Sequence, residues 1–235
     1  MDMKISGSGT IPTGEYDAIK ISGSGKLSGH VKCASLSVSG SAHSEALECW
    51  GDIRVSGSTH FVDNVTSGSM YVSGAVHCGA NVTVLHEVKL SGGSRCEGNL
   101  KCGELYVAGV LHAEKNIEAE TARIHGGIVC NGLLNAEDIE IEIEQNAKCS
   151  IGSIGCSKLL VERRNGNKLF KRRGNGVVTV KNEIEGDEID IEFVTCPRVS
   201  GRTVKIGEVC DIDLLQYSES YEIHEKAKVG KIEKI

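Results

Sequence analysis

The sequence predicts an all-β protein wound as a single-stranded β-solenoid. Three observations predict it: a triplet recurring every 17 residues, alternation inside each repeat, and a column of asparagines in step with the triplets. The triplet is an apolar residue followed, in most copies, by Ser-Gly. Its first residue stands at Ile21, Val38, Val55, Val72, Leu90, Val107 and Ile124, with gaps of 17, 17, 17, 18, 17 and 17. A period held this long marks an array of stacked units, not one irregular globule. In the repeat that starts at Met70, the apolar Met70, Val72, Val76, Cys78, Val82 and Val84 alternate with polar or small residues. That is the period of a strand with one buried face. Asn64, Asn81, Asn99 and Asn116 keep the same spacing, each just before an apolar residue. Asparagine tolerates the left-handed backbone and bonds neighbouring amides, and the triplet glycine admits positive φ. Two marked corners and a return make a three-sided coil of about six residues per side.

Composition fits a narrow interior. Aromatic residues make up 4%, with 29 Gly and 2 Pro, so Val, Ile, Leu, Ala and Cys must fill the core. The net charge of −6 argues against nucleic acid as a partner of the whole surface. No apolar run reaches the ~18 residues that span a bilayer, and no charged-then-apolar leader precedes the first repeat. A cytoplasmic protein is expected. The ten cysteines form no CxxC and several fall in inward columns, among them Cys33, Cys49, Cys78, Cys96, Cys102 and Cys130. They are expected to be reduced, buried hydrophobes.

Taken in order, residues 1–18 read as an opening coil, with Met1, Met3 and Ile5 alternating and Pro12 at a turn. About eight coils follow to residue 155, with a loose fit around Leu47, Cys49 and Trp50. Residues 1–157 form the main array. Residues 158–183 read as a basic β-hairpin insert, because Asn165-Gly166 lies between two strand-like runs. It carries Arg163, Arg164, Lys168, Lys171, Arg172 and Arg173, a candidate docking patch for an anionic membrane surface or an acidic partner, or else a solvated excursion. Residues 184–235 resume the solenoid, with Ile189, Val204 and Tyr221 separated by 15 and 17.

Neither end shows a capping helix, and the alternation continues to the last residues. A solenoid normally covers its end coils, whose backbone groups and core would otherwise be open. The expectation is therefore end-to-end self-assembly, by strand addition as in cross-β stacking. The candidate polymerisation residues are Met3 and Ile5 at one end and Tyr217, Tyr221, Ile223, Val229 and Ile232 at the other.

The Val-x-Ser-Gly rungs resemble those of the bactofilins, bacterial polymer-forming cytoskeletal proteins. The segment Ile184-Glu185-Gly186-Asp187-Glu188-Ile189-Asp190-Ile191-Glu192, the run Val204-Lys205-Ile206-Gly207, and Leu169-Phe170-Lys171-Arg172-Arg173-Gly174 resemble the longer Gram-positive form. The resemblance implies a right-handed triangular β-helix, nucleotide-independent filaments, and a role in cell shape or in scaffolding envelope-associated proteins. Two departures stand out. The proline-rich tails and the short apolar membrane anchor of many bactofilins are not seen in this sequence, and the family's terminal aromatic has no matched position, with Tyr217 and Tyr221 as candidates.

Other functions have weaker sequence support. His43, His60, His77 and His112 share one column with Arg95, and that column should face solvent. A metal-binding histidine ladder would need carboxylates to orient the rings, and no such column is visible. The hexapeptide motif of solenoid acyltransferases, the glycine-aspartate ladders of calcium-binding repeats and phosphate-binding glycine loops are all missing. No catalytic residue, cofactor or metal is expected. The alternative to a filament is a non-polymerising scaffold that binds partners along its faces.

Overall fold

The computed structural model describes residues 1–143, 148–163 and 176–235. Among them there is no helix, and the strands pair in parallel ladders. The chain divides into two units, Met1–Lys115 and Asn116–Ile235, and each is a β-solenoid.

The first unit shows the three-sided coil most plainly. Strands Val65–Val72, Ala75–Cys78 and Val82–Val84 make one turn. Glu87–Leu90, Gly93–Cys96 and Leu100–Lys101 then lie on them one for one. The register sets Val72 on Leu90 and Cys78 on Cys96, as the 17-to-18-residue period requires. Val55, Val72, Leu90 and Val107 are all 3% exposed or less. Each such side chain contributes about 1.5–3 kcal/mol through burial. The loose fit near Cys49 is a register shift between Cys49 and Asp52, which turns Trp50 outward to 52% exposure.

In the second unit, strands Gly127–Ile143, Cys149–Arg163, Glu183–Ile191, Val194–Ile206 and Asp211–Ile223 stack in succession. The inward column Ile139, Leu159, Ile189, Val204, Tyr221 runs through all five. This narrows the bounds expected for the insert, whose residues 164–175 lie outside the described ones. Residues 158–163 belong to the ladder, since Leu159 and Val161 pair on both sides, and Val178–Val180 is a solenoid strand. The alternation of Leu159 and Val161 belongs to the repeat. Of the candidate basic patch only Arg163 is described; Arg164, Lys168, Lys171, Arg172 and Arg173 lie outside the described residues.

The corner residues work differently from expectation. Among the described residues the one glycine with positive φ is Gly29, so the triplet glycines are not chosen for backbone handedness. They are chosen for contact. A Cβ on Gly57 would sit 1.9 Å from the Gly40 carbonyl oxygen, and one on Gly74 would sit 1.9 Å from that of Gly57. The asparagines also lack positive φ but bond as anticipated: the Asn81 amide donates to Asn64 Oδ1 at 3.1 Å, and the Asn99 amide to Asn81 Oδ1 at 2.9 Å. Each asparagine thus ties its corner to the next coil.

The core carries a small polar defect. The hydroxyls of Ser44, Thr59, Ser67 and Ser94 are buried without a hydrogen-bond partner. An unsatisfied buried hydroxyl costs about 1–3 kcal/mol.

Two stability predictions follow from this packing. Gly57→Ala should cost about 3 kcal/mol, the upper end of overpacking penalties, whereas Gly7→Ala, with nothing within 4 Å of the added carbon, should leave the thermal midpoint nearly unchanged. Thr59→Val, which keeps the shape and removes an orphaned hydroxyl, should stabilise by about 1 kcal/mol in chemical denaturation.

Candidate assembly interface

The inward columns of the second unit end on an exposed apolar surface. Strand Lys228–Lys234 pairs with the first half of Asp211–Ile223, placing Val229 on Ile212 and Ile232 on Leu215. That cover leaves Ile212 at 1% exposure and Leu215 at 0%. The second half of the strand is flanked on one side only among the described residues: Val204 pairs with Tyr221 and Ile206 with Ile223. Tyr221 is 40% exposed and Ile232 41%, while Ile223 and Val229 are half-buried. Tyr217 leans on Tyr221 with ring centroids 4.6 Å apart. Tyr221, Ile223, Val229 and Ile232 thus lie on the last turn of the chain, while Tyr217 sits one coil below, overlaid by Lys234.

The two ends are unequal. Met3 is half-buried but Ile5 is 8% exposed, and the first coil holds a core residue that the sequence reading missed. Tyr16 occupies the column continued by Cys33 and Cys49. Its hydroxyl donates to the Pro12 carbonyl at 3.0 Å, and the side chain lies against Gly14, the first residue of strand Gly14–Ile21, where a Cβ would stand 3.2 Å from the hydroxyl oxygen. The one large ring in a column of small residues was the available signal. Charge differs as well. Asp2, Glu15 and Asp17 outweigh Lys4 in residues 1–17, whereas Lys226, Lys228, Lys231 and Lys234 outweigh Glu225 and Glu233 in residues 224–235.

The histidine column faces solvent as expected. Lys26, His43, His60, His77, Arg95 and His112 stand in continuous register. His60 and His77 stack at 4.6 Å, and His43 meets His60 edge-on at 5.2 Å. An orienting carboxylate does exist, contrary to the sequence reading: Glu97 lies 2.9 Å from His77 Nε2 and Glu114 2.6 Å from Arg95. Both come from the neighbouring column one coil on, a diagonal that a search within columns misses. Burial, then the adjacent His77 and His43, hold His60 below the ordinary histidine value of 6.5, with Glu97 opposing them.

The cysteines behave as hydrophobes. All ten are free thiols and nine are buried. Burial pushes Cys96 up to about 11 and Cys102 up to about 12, so these thiols stay protonated and poorly nucleophilic. The half-buried Cys156 lines an open groove with Gly155, Gly186 and Gly201. Burial, then Asp187 and Asp138, raise its pKa to about 12, and an acidic wall of this kind suits no thiolate chemistry.

His60 should titrate below the usual histidine range in an NMR pH series, and His77→Gln should raise its pKa by removing a neighbouring charge. An unchanged value would assign the shift to burial alone. Since the unfolded chain takes up this proton first, the ladder costs stability as pH falls through about 6.5.

No helix among the described residues is long and apolar enough to cross a membrane. No family model matches the chain, and no solved structure matches it. A stretch of 99 residues is 32% identical to the uncharacterized protein YhbE of Bacillus subtilis (strain 168). The match covers 42% of this chain and 41% of that relative, so less than half of the relative's length is spanned.

Proposed function

We propose that this chain is a structural protein of the bactofilin kind that assembles with copies of itself, coil on coil, into filaments without a nucleotide. One observation carries the reading: the inward columns that are fully buried up to Leu215, Val204 and Ile206 end on Tyr221, Ile223, Val229 and Ile232, which are not. A second copy is the occupant that suits this surface best. Its own coil offers the same strand spacing and an apolar interior, and the ladder of hydrogen bonds continues across the junction. The basic terminal coil and the acidic opening coil favour head-to-tail order. In a cell such a filament scaffolds shape or envelope-associated proteins, and its partners would bind along the coil faces.

The test is negative-stain microscopy with a sedimentation assay on the purified chain and on Ile232→Glu. Ile232 is 41% exposed and lies over Leu215, so circular dichroism and the thermal midpoint of the variant check that its last coil stays folded. Removing one buried Ile from each junction is worth about 1.5–3 kcal/mol, so the critical concentration should rise by about tenfold or more. A chain that stays monomeric at high concentration, or filaments indifferent to Ile232→Glu, would refute the reading.

A further inference from the structure

The second unit holds a cluster of metal-ligating side chains that self-assembly does not use. Glu140 and Glu142 flank the fully buried Ile141 on strand Gly127–Ile143. Residues two apart on a strand share a face, so both carboxylates point outward together. Ile124 registers with Ile141, which brings the following His125 alongside Glu142. His125 Nδ1 lies 3.9 Å from a Glu142 carboxylate oxygen. One ligand atom from each of His125, Glu140 and Glu142 lies within 4.8 Å of the other two.

The surroundings favour a ligand over a plain surface pair. The His125 and Glu142 side chains are 23% and 22% exposed and Glu140 36%, against 39–60% for the Arg54–Asp52 and Lys205–Asp190 pairs. The next coil sets Leu160 beside Glu140 and Glu162 beside Glu142, so the cluster has an apolar flank and a further carboxylate stacked upon it. Like charges on adjacent strands repel, and a bound cation relieves that repulsion. Among the described residues Arg123 is a competing cation, its Nε 3.8 Å from Glu140.

We propose that His125, Glu140 and Glu142 bind one first-row divalent metal ion of the Zn2+, Co2+ or Mn2+ class. Side-chain rotation of about 1 Å draws the three donors to the ~2.0–2.2 Å bond lengths such ions take. The imidazole selects against Mg2+ and Ca2+, which prefer all-oxygen cages, and the two carboxylates select against thiophilic ions. Three protein donors leave the remaining positions to water. The site is independent of the terminal coil.

The experiment is a Co2+ titration of the full chain, read by visible absorption and by calorimetry. The expected result is saturable one-to-one binding, with weak d–d bands of nitrogen and oxygen ligation. Glu142→Gln should weaken it by about tenfold or more, since even outer residues of metal sites are worth about 10–100-fold. Arg123→Gln should tighten it by freeing Glu140. Each variant's thermal midpoint without metal checks its fold. A thiolate charge-transfer band, binding unaffected by Glu142→Gln, or no saturation would overturn the proposal.

Discussion

At the glycine corner one coil lies so close on the next that no side chain fits between them. A carbon added to Gly40, Gly57 or Gly74 would stand about 2 Å from a carbonyl oxygen of the coil before, well inside atomic contact. This approach lets amides such as Ser58 and Ala75 reach the carbonyls of Gly40 and Gly57 at 2.9 Å. The ladder passes the corner without losing its hydrogen bonds, and backbone groups that would be orphaned at a bend are satisfied. The constraint fixes which residues meet at the corner, and not the length between corners: Gly92 stands as close on Gly74 across 18 residues as Gly74 on Gly57 across 17. A coil with an extra residue has to take it up elsewhere, as the shift at Cys49 and Asp52 does.

That constraint also explains what the sequence could and could not disclose. The period, the inward columns and the outward histidines were legible because stacking repeats each environment every 17 residues, and chemistry has to repeat with it. The reason for the triplet glycine was not legible. Positive φ and close approach select the same residue, and only the contact between Gly57 and Gly40 separates them. The start of the supposed insert was misread for a related cause. Leu159 and Val161 carry the repeat's alternation without its Ser-Gly, since Glu162 stands where serine stood earlier.

The candidate interface was partly legible. The alternation to residue 235 marked Val229 and Ile232 as column members, and the pairing register explains why they are exposed: they cover Ile212 and Leu215 while no described strand covers them in turn. Tyr16 was not marked. Its hydroxyl is held by the Pro12 carbonyl, a contact between neighbours that a 17-residue comparison does not register. The pairing of Glu97 with His77 escaped for the mirror-image reason, since it crosses columns as well as coils.

In a solenoid the residues that break a column carry the most information. A neutral column, such as Ser22, Ser39, Ser56, Ser73 and Ser91, stacks without electrostatic cost and can be extended indefinitely. The corresponding positions of the second unit hold His125, Glu142 and Glu162, and adjacent carboxylates at the ~4.8 Å strand spacing repel. Stacking forces them together whether or not that is favourable, because the register is fixed by the buried Ile141 and Val161 beneath. A surface histidine next to stacked glutamates thus has its backbone position set by the core packing beneath it. Rigid placement of donors is what a metal site requires, and a fold that repeats supplies it wherever the repeat's chemistry is exchanged.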